Sequence, residues 1–394
     1  MRGKLLHSRR GNRLRKVLMV LQFIASFVLV SGTIVVVEQV RYMQQETASD
    51  RNHRVLVLKY PTFAENRAVQ MKDFQERLKQ EPYIRHVSVS GAVPGVEVAN
   101  YFTNRPYGSD PSEVKLIQMF AVDEEYLDLY APEILCGRSF SEQYGNELNK
   151  VVLNEEAVRL LGYASPEAAL GQQLAMEVLK EPLEVIGVVK NYHQQSLAEP
   201  YKPILFFQKE RVPFIPTPYI SIQLHQEVDA QYLASIERIY RTYFPSAVYA
   251  YFRLSDYQQD LYKSDRNFGW MFLCASLLAI FVACLGLWIM TLFNTMARLR
   301  EIGIRKVLGA SKLRLFLLLT RELVQLTVWA TVWGTPLSVL LMKEWLQTYA
   351  FHIELPVWGY VLAFVWMLGL ALLTVAYQVW QVIRQKPMRI LRNE

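Results

Sequence analysis

Four stretches of this chain carry no charged residue: 17–37, 268–296, 323–342 and 356–383, of 21, 29, 20 and 28 residues. A helix needs about 20 apolar residues to cross the hydrocarbon core of a bilayer, so each stretch predicts a transmembrane helix. The first is too long for the core of a typical signal peptide, and no small-x-small cleavage pattern precedes Glu38. It therefore predicts a retained anchor. Val36, Val40 and Met43 carry helical spacing beyond the first run, and Tyr257, Leu261 and Phe268 carry it into the second. That spacing predicts a two-helix stalk, the alternative being a frayed linker.

Between the first two runs the pattern alternates. Residues 54–60 (RVLVLKY) and 86–93 read as strands on either side of a charged helix at 67–80, and Pro94-Gly95 reads as a turn. From 96 to about 183 the pattern is more irregular. Strands are predicted at 117–122 and 150–153, and a short helix at 124–130. Another helix covers 154–161, capped by Asn154 and ended by Gly162; Ser165 caps a further one that ends near Gly171. Strands follow at 183–190 (LEVIGVVK), 203–207 and 219–224, then a helix at 229–243 capped by Asp229, and a last strand at 248–254. A β-α-β unit and a closing strand-helix-strand thus flank an irregular middle. This predicts one α+β domain with a second, smaller subdomain inserted in it.

Charge changes the picture by its placement. A net charge of +7 with a pI near 9.1 would suit a nucleic-acid binder. Residues 1–16, however, carry seven Lys/Arg and no acid, 297–314 carry six against one Glu, and 384–394 carry four against one. Residues 38–267 hold 24 Lys/Arg and 31 Asp/Glu. The basic residues sit beside membrane ends, and the positive-inside rule puts both termini and 297–314 in the cytoplasm. The expected layout is a basic leader (1–16), transmembrane helix 1 (17–37) and an extracytoplasmic domain with stalk helices at both ends (38–267). Transmembrane helix 2 (268–296), a cytoplasmic helix and turn (297–314), transmembrane helix 3 (315–342), a short outer loop (343–355), transmembrane helix 4 (356–383) and a cytoplasmic tail (384–394) come after it. Trp345, Tyr349, Phe351, Trp358 and Tyr360 gather at the outer boundary as an aromatic belt would.

Candidate chemistry is sparse. No phosphate loop, GxSxG, HExxH or paired-carboxylate signature occurs, and the three cysteines form no metal pattern. Cys136 is the one cysteine in 38–267, so that domain has no internal disulfide. His193 follows a strand and reads as a satisfied loop histidine before it reads as a site residue. Arg321 and Glu322 lie near the cytoplasmic end of span three, where they can pair, snorkel or face a partner. Proton-driven transport needs ionisable groups near the midplane, and the runs contain none. Power is expected from outside the chain.

The segment 298–314 (RLREIGIRKVLGASKLR) reads as a short amphipathic helix, a glycine corner and the start of the next helix. Arg298, Glu301 and Arg305 share a face, and Arg305 and Lys306 suit the C-terminal end of the dipole. Gly309 suits a left-handed cap, and Ser311 suits the N-cap of the next helix. On these grounds alone an ordinary positive-inside loop is an equal reading.

The run Glu301-Ile302-Gly303-Ile304-Arg305-Lys306-Val307-Leu308-Gly309-Ala310-Ser311 strongly resembles the EIGIRKxxGAS motif of FtsX/MacB-type ABC transporter permeases. The order of parts agrees, with one span, a large outer domain, then three spans. Gly137-Arg138-Ser139-Phe140-Ser141, Leu153-Asn154-Glu155, the run from Val185 to His193, Ser196-Leu197 and Pro203 resemble the MacB-like periplasmic core domain. The ending Lys386-Pro387-Met388-Arg389-Ile390-Leu391-Arg392-Asn393-Glu394 is similar to the family's NPxxxLRxE, with Lys386 in the Asn position. The run Leu14-Arg15-Lys16-Val17-Leu18-Met19-Val20-Leu21-Gln22-Phe23 resembles the start of the second half of longer, duplicated permeases of Bacteroidota.

The resemblance implies an α+β periplasmic domain of two parts on a helical stalk, and a permease subunit with no catalytic site, metal or cofactor of its own. A separate cytoplasmic ABC ATPase dimer would carry ATP and Mg. It implies ATPase coupling through Arg298, Glu301, Gly303, Arg305, Lys306, Gly309, Ala310 and Ser311. The working unit would include a second permease half, identical or related, in the bacterial inner membrane, and a periplasmic or outer-membrane partner is compatible with it; nucleic acid is not. Transmission of ATP-driven motion to the outer domain, for efflux or extraction of antibiotics, peptides, lipids or lipoproteins, is the expected function. The alternative is an envelope signalling or scaffold protein that activates a periplasmic partner without moving substrate.

Overall fold

The computed structural model describes residues 9–47, 51–60, 67–130, 132–297 and 312–384. The chain divides into two compact units, one of Met43–Lys263 and one of Met1–Tyr42 with Ser264–Glu394. In chain order the elements are α1 (Arg9–Thr47), β1 (Val55–Lys59), α2 (Arg67–Lys79), β2 (Ile84–Ser90), β3 (Tyr101–Pro106), β4 (Lys115–Val122) and α3 (Tyr126–Tyr130). Then come β5 (Ile134–Gly137), β6 (Lys150–Asn154), α4 (Glu155–Leu160), α5 (Pro166–Ala169), β7 (Gln173–Met176), β8 (Leu183–Val189) and β9 (Ile204–Gln208). The chain closes with β10 (Tyr219–Leu224), α6 (Ala230–Tyr243), β11 (Ala250–Arg253), α7 (Leu254–Leu261), α8 (Lys263–Ala297), α9 (Lys312–Leu346) and α10 (Val357–Arg384).

In the Met43–Lys263 unit, β11-β1-β10-β2 form an antiparallel sheet. Strands β1 and β2 are separated by β10, so β1-α2-β2 and β10-α6-β11 are two interleaved split β-α-β units, the ferredoxin-like arrangement. Helices α2 and α6 cover one face, where Leu56, Leu58, Phe74, Leu78, Ile222, Ile236 and Tyr240 pack together. Val55 and Val57 point to the opposite face against Val93, Leu129 and Leu254. Both faces of β1 are therefore covered, which is why it reads as the unbroken apolar run VLVL.

Everything from β3 to β9 lies between β2 and β10 in sequence and forms a second sheet, β5-β8-β6-β9-β4-β3-β7. Strand β7 pairs with β8 as well as with β3, so six strands close into a small barrel. Alternation along the strands sends Ile117, Met119, Val151, Leu153, Leu174, Leu183, Val185 and Phe207 into one core. Phe120, Val122, Val152, Ile204 and Phe206 face the other way, onto Tyr126, Phe140 and Tyr192. The inserted subdomain expected from the sequence is this barrel, but it is not the smaller part: its strands run from Tyr101 to Gln208, a longer stretch than Val55–Ser90 and Tyr219–Arg253 together.

The structure differs from the sequence-based expectation at several places. Strands β3, β5 and β7 occupy the stretch read as irregular. The strand expected at 248–254 is confined to Ala250–Arg253, and Leu254 already begins α7. The helix expected to run from Tyr257 through Leu261 to Phe268 is interrupted at Tyr262. Burial explains the break: the Tyr262 ring is 1% exposed, and its hydroxyl accepts the Leu197 N–H at 3.3 Å.

Among the described residues, four helices, lying chiefly in the other unit, are long and apolar enough to cross a membrane, with spans at Leu14–Glu46, Lys263–Phe293, Leu323–Leu346 and Val357–Tyr377. Helix α1 has 39 residues and is about 58 Å long at 1.5 Å per residue, well beyond the apolar core of a bilayer. Its Phe23 and Phe27 pack with Leu287 and Met290 of α8, Leu326 and Ala330 of α9, and Ala363 and Met367 of α10. Trp270, Phe281, Trp329, Trp333, Trp358 and Trp366 face outward, as residues against lipid do.

Candidate functional site

The residues singled out for ATPase coupling, Arg298, Glu301, Gly303, Arg305, Lys306, Gly309, Ala310 and Ser311, lie outside the described residues, between the described ends of α8 and α9. The described residues show the seam of the helical bundle and the fasteners of the α+β unit.

The seam is polar at points where the helices approach most closely. Ser31 Oγ on α1 lies 2.8 Å from Ser338 Oγ on α9. Thr33 Oγ1 lies 2.7 Å from Ser276 Oγ on α8, and Ser26 donates to Ala279 O at 3.2 Å. Small residues admit the large ones opposite: a Cβ on Gly334 would lie 2.9 Å from the Phe27 ring, and one on Gly359 2.9 Å from Ile34. Lipid tails are as apolar as leucine, so small-residue contacts and interhelical hydrogen bonds fix helix pairs in a membrane. On α9, Thr327, Thr331 and Thr335 each donate to the carbonyl four residues back, which keeps an otherwise polar run compatible with an apolar setting. Among the described residues, the buried polar groups of this bundle are hydroxyls and amides (Ser26, Ser31, Thr33, Gln39, Ser276, Thr291, Thr320, Thr327, Ser338) and none is charged. Arg321 is exposed on α9, and the side chain of Glu322 lies outside the described residues.

In the α+β unit the short motifs found in the sequence meet one another. Asn154 is 1% exposed, and both its amide oxygen and its amide nitrogen are engaged. Oδ1 accepts from Ala157 N at 3.0 Å, capping α4, and from Ile204 N at 2.8 Å, while Nδ2 donates to Lys202 O at 2.8 Å. Glu155 accepts the Asn191 N–H at 2.8 Å, and Asn191 in return accepts the Glu156 N–H at 3.0 Å. Tyr192 packs into the barrel's outer core beside Phe206. Arg138 pairs with the buried Glu147 at 2.5 Å and lies over the Tyr144 ring at 3.7 Å. Gly137, at φ +75°, and Gly187 face each other across β5 and β8; a Cβ on Gly137 would strike the Ile186 carbonyl, and one on Gly187 the Arg138 carbonyl. These motif residues hold the fold together.

His193 is half-buried, with Nε2 3.2 Å from the Tyr201 hydroxyl. Desolvation lowers its pKa, against a smaller upward pull from Glu46. No group of His, Cys, Asp and Glu among the described residues could hold a metal ion.

Sequence reasoning missed the joint between the two subdomains. Asp123, at the end of β4, accepts from Ser88 Oγ at 2.7 Å, Val89 N at 2.6 Å and Gln75 Nε2 at 3.0 Å, with Lys209 Nζ 3.8 Å away. Burial pushes its carboxyl above the usual carboxylate range, while Lys209 and the three donors pull the other way. Beside it His86 Nδ1 lies 2.7 Å from Glu125, and the Tyr130 hydroxyl meets Ser221 Oγ at 2.6 Å. A cleft of about 870 Å³ opens along this joint, lined by Gln75, Lys79, Asp123, Glu147 and Lys209 among others. The one available signal was a run of three acids, Asp123-Glu124-Glu125, directly after an apolar strand.

Two families match the chain. Residues 17–239, over half of it, match the MacB-like periplasmic core domain, and residues 273–387 match the FtsX-like permease C-terminal domain. The chain is an FtsX/MacB-type ABC transporter permease. This permease is similar to the uncharacterized ABC transporter permease YvrN of Bacillus subtilis (strain 168), at 25% identity over 262 residues. The match takes in 63% of this chain and 61% of that relative, so the permease spans about three fifths of YvrN. Among solved structures it is similar to the periplasmic region of MacB from Actinobacillus actinomycetemcomitans, at 14% identity and a TM-score of 0.39, over 55% of this chain and 98% of that one. It is similar too to the extracellular domain of the transporter YknZ from Gram-positive bacteria, at 17% identity and a TM-score of 0.35, over 50% and 97%.

Proposed function

We propose that this chain is the permease subunit of an ABC transporter in which a separate cytoplasmic ATPase drives conformational change of the α+β unit. The observation that carries this reading is the order of parts. One candidate span leads into the α+β unit, three more come after it, and the FtsX-like match runs from within α8 across 298–311 to α10. The seam is compatible with it: the buried seryl, threonyl and glutaminyl groups among the bundle's described residues carry no charge. In this reading both termini and 298–311 face the cytoplasm of a bacterial inner membrane, and the α+β unit faces the periplasm.

Arg298, Glu301, Arg305 and Lys306 then dock on an ATPase dimer that holds ATP and Mg, while Gly303 and Gly309 let the backbones approach. A second permease half, identical or related, completes the unit. The load is an antibiotic, a peptide, or a lipid or lipoprotein, moved by efflux or extraction without passage between the spans. The test is co-purification of the full chain from detergent with a soluble ABC ATPase, then reconstitution and measurement of ATP hydrolysis. The reading expects a stable complex whose hydrolysis depends on the chain. A chain that never retains an ATPase contradicts it, and a complex that hydrolyses ATP and activates an envelope partner with no substrate moved favours the signalling role instead.

A further inference from the structure

The loop joining α9 to α10, residues 347–356, is gripped by two side chains from other helices. Gln39 of α1 is wholly buried. Its Nε2 donates to Phe351 O at 3.0 Å, and its Oε1 accepts from Ile353 N at 2.9 Å. Both ends of one amide are thus spent on the loop backbone, beside an apolar cluster of Val35, Met342, Leu346, Ile353 and Leu355. Asp265, in the first turn of α8, accepts from the Tyr349 hydroxyl at 2.6 Å. Next to that bond the Trp345 ring stacks on Phe268 at 5.8 Å and meets Tyr349 edge-on at 5.1 Å.

The identity of the gripping helices matters. The chain passes into the α+β unit through α1 and out of it into α8, whereas α9 and α10 never enter that unit. The loop lies at the end of α9 opposite the one next to residues 298–311. Apolar side chains alone let packed helices slide by small shear steps. An amide bonded twice to a backbone, and a carboxylate bonded to a phenol, fix register as packing does not, and in a low-dielectric setting their loss leaves buried polar groups unpaired.

We propose that Gln39, Asp265 and Tyr349 are positioning residues that clamp the 347–356 loop to both helices leading into the α+β unit, so that a displacement of α9 and α10 carries α1 and α8 with it. The inference rests on the transmission reading given above. It adds, to the Ser31–Ser338 bond that already links α1 to α9, a force-bearing contact of three side chains at the end far from the ATPase.

The experiment uses the full chain with its ATPase in lipid nanodiscs. Cys136, Cys274 and Cys284 are replaced by Ser, and spin labels are placed at Glu113→Cys in the α+β unit and Met296→Cys near the end of α8, both exposed positions. Pulsed-EPR distances are compared without nucleotide and with ATP plus vanadate, alongside the rate of ATP hydrolysis and the melting temperature. The chain with intact clamp residues is expected to show a nucleotide-dependent shift. Gln39→Leu and Tyr349→Phe are each expected to lose at least half of it while hydrolysis stays within about twofold. Asp265→Asn, which keeps an accepting oxygen, is expected to retain the shift that Asp265→Leu loses. Tyr349→Phe, lacking one oxygen atom, carries the test if Gln39→Leu does not assemble. Full shifts in Gln39→Leu and Tyr349→Phe, with only a lowered melting temperature, would overturn the clamp and leave the transmission reading standing. No nucleotide-dependent shift with the clamp residues intact overturns that reading and the clamp with it.

Discussion

Thr33 Oγ1 on α1 and Ser276 Oγ on α8 lie 2.7 Å apart inside an apolar bundle, both within reach of the same carbonyl, that of Leu29, at 2.8 and 2.9 Å. Two helices distant in sequence thus share one backbone acceptor. Replacing Ser276 by Ala is expected to lower the stability of the bundle by about 0.6–1.7 kcal/mol, the range for interhelical hydrogen bonds in membranes. Ser276→Leu is expected to cost more, since it also forces the helices apart. Thermal melting in nanodiscs, followed by fluorescence of the eight tryptophans, all of which lie in 270–380, reads the bundle alone. Equal melting of Ser276→Leu and the unaltered chain would remove the seam from the account.

Gly187 is expected to tolerate no side chain. A Cβ there meets the backbone of Arg138, which cannot swing aside as a flexible side chain would. Gly187→Ala should destabilise the barrel by about 1–3 kcal/mol, the range for overpacking. Hydrogen exchange measured by mass spectrometry should show faster exchange in β5 and β8, while α9 and α10 stay protected.

Asn154 joins the start of α4 to the start of β9. Asn154→Leu removes the helix cap and strands the Ile204 N–H and the Lys202 carbonyl in a buried place. Each unpaired buried group costs about 1–3 kcal/mol, so the variant is expected to lose protection throughout the barrel. Asn154→Asp keeps both accepted bonds and is expected to lose less.

His193 is expected to make the α+β unit sensitive to acid. Its folded pKa is depressed below its ordinary 6.5 by desolvation. The unfolded chain therefore takes up the proton first as pH falls. The contribution is complete above about 6.5 and is lost as pH drops through the lower, folded-state value. His193→Gln is expected to flatten the loss of protection around 193–201 below pH 6.5, as measured by hydrogen exchange at stepped pH. An unchanged pH profile in that variant would assign the acid sensitivity elsewhere.

The parts legible in the sequence were those whose signal is local. The uncharged runs mark helices that are apolar on nearly every face, and VLVL in β1 marks a strand covered on both sides. The caps at Asn154, Ser165 and Asp229 all accept the backbone N–H groups that capping requires. The parts that were not legible depend on distant partners. Strand β3 carries Asn104, Arg105 and Pro106 and shows no alternation; it is a strand because β4 and β7 lie on either side of it and close the barrel. Ser31 and Ser338 are single hydroxyls in long apolar runs, and nothing near either one says that 307 residues later it meets the other. Asp123 reads as a loop acid until β2 and α2 come to it. For the segment proposed to couple to an ATPase the position is reversed: the motif from Glu301 to Ser311 was plain in the sequence, and it lies outside the described residues.

The central claim is that this chain draws its power from an ATPase docked at that segment. The most direct measurement is the rate of ATP hydrolysis by the cognate ATPase, alone and with the full chain in nanodiscs, for the unaltered chain and for Glu301→Lys. Glu301→Lys reverses one charge of the proposed docking face, and Gly309→Val provides a second, sterically different disruption. The account predicts that the unaltered chain stimulates hydrolysis, and that both variants insert and fold normally yet fail to stimulate it. Stimulation by folded Glu301→Lys and Gly309→Val equal to that of the unaltered chain would contradict it.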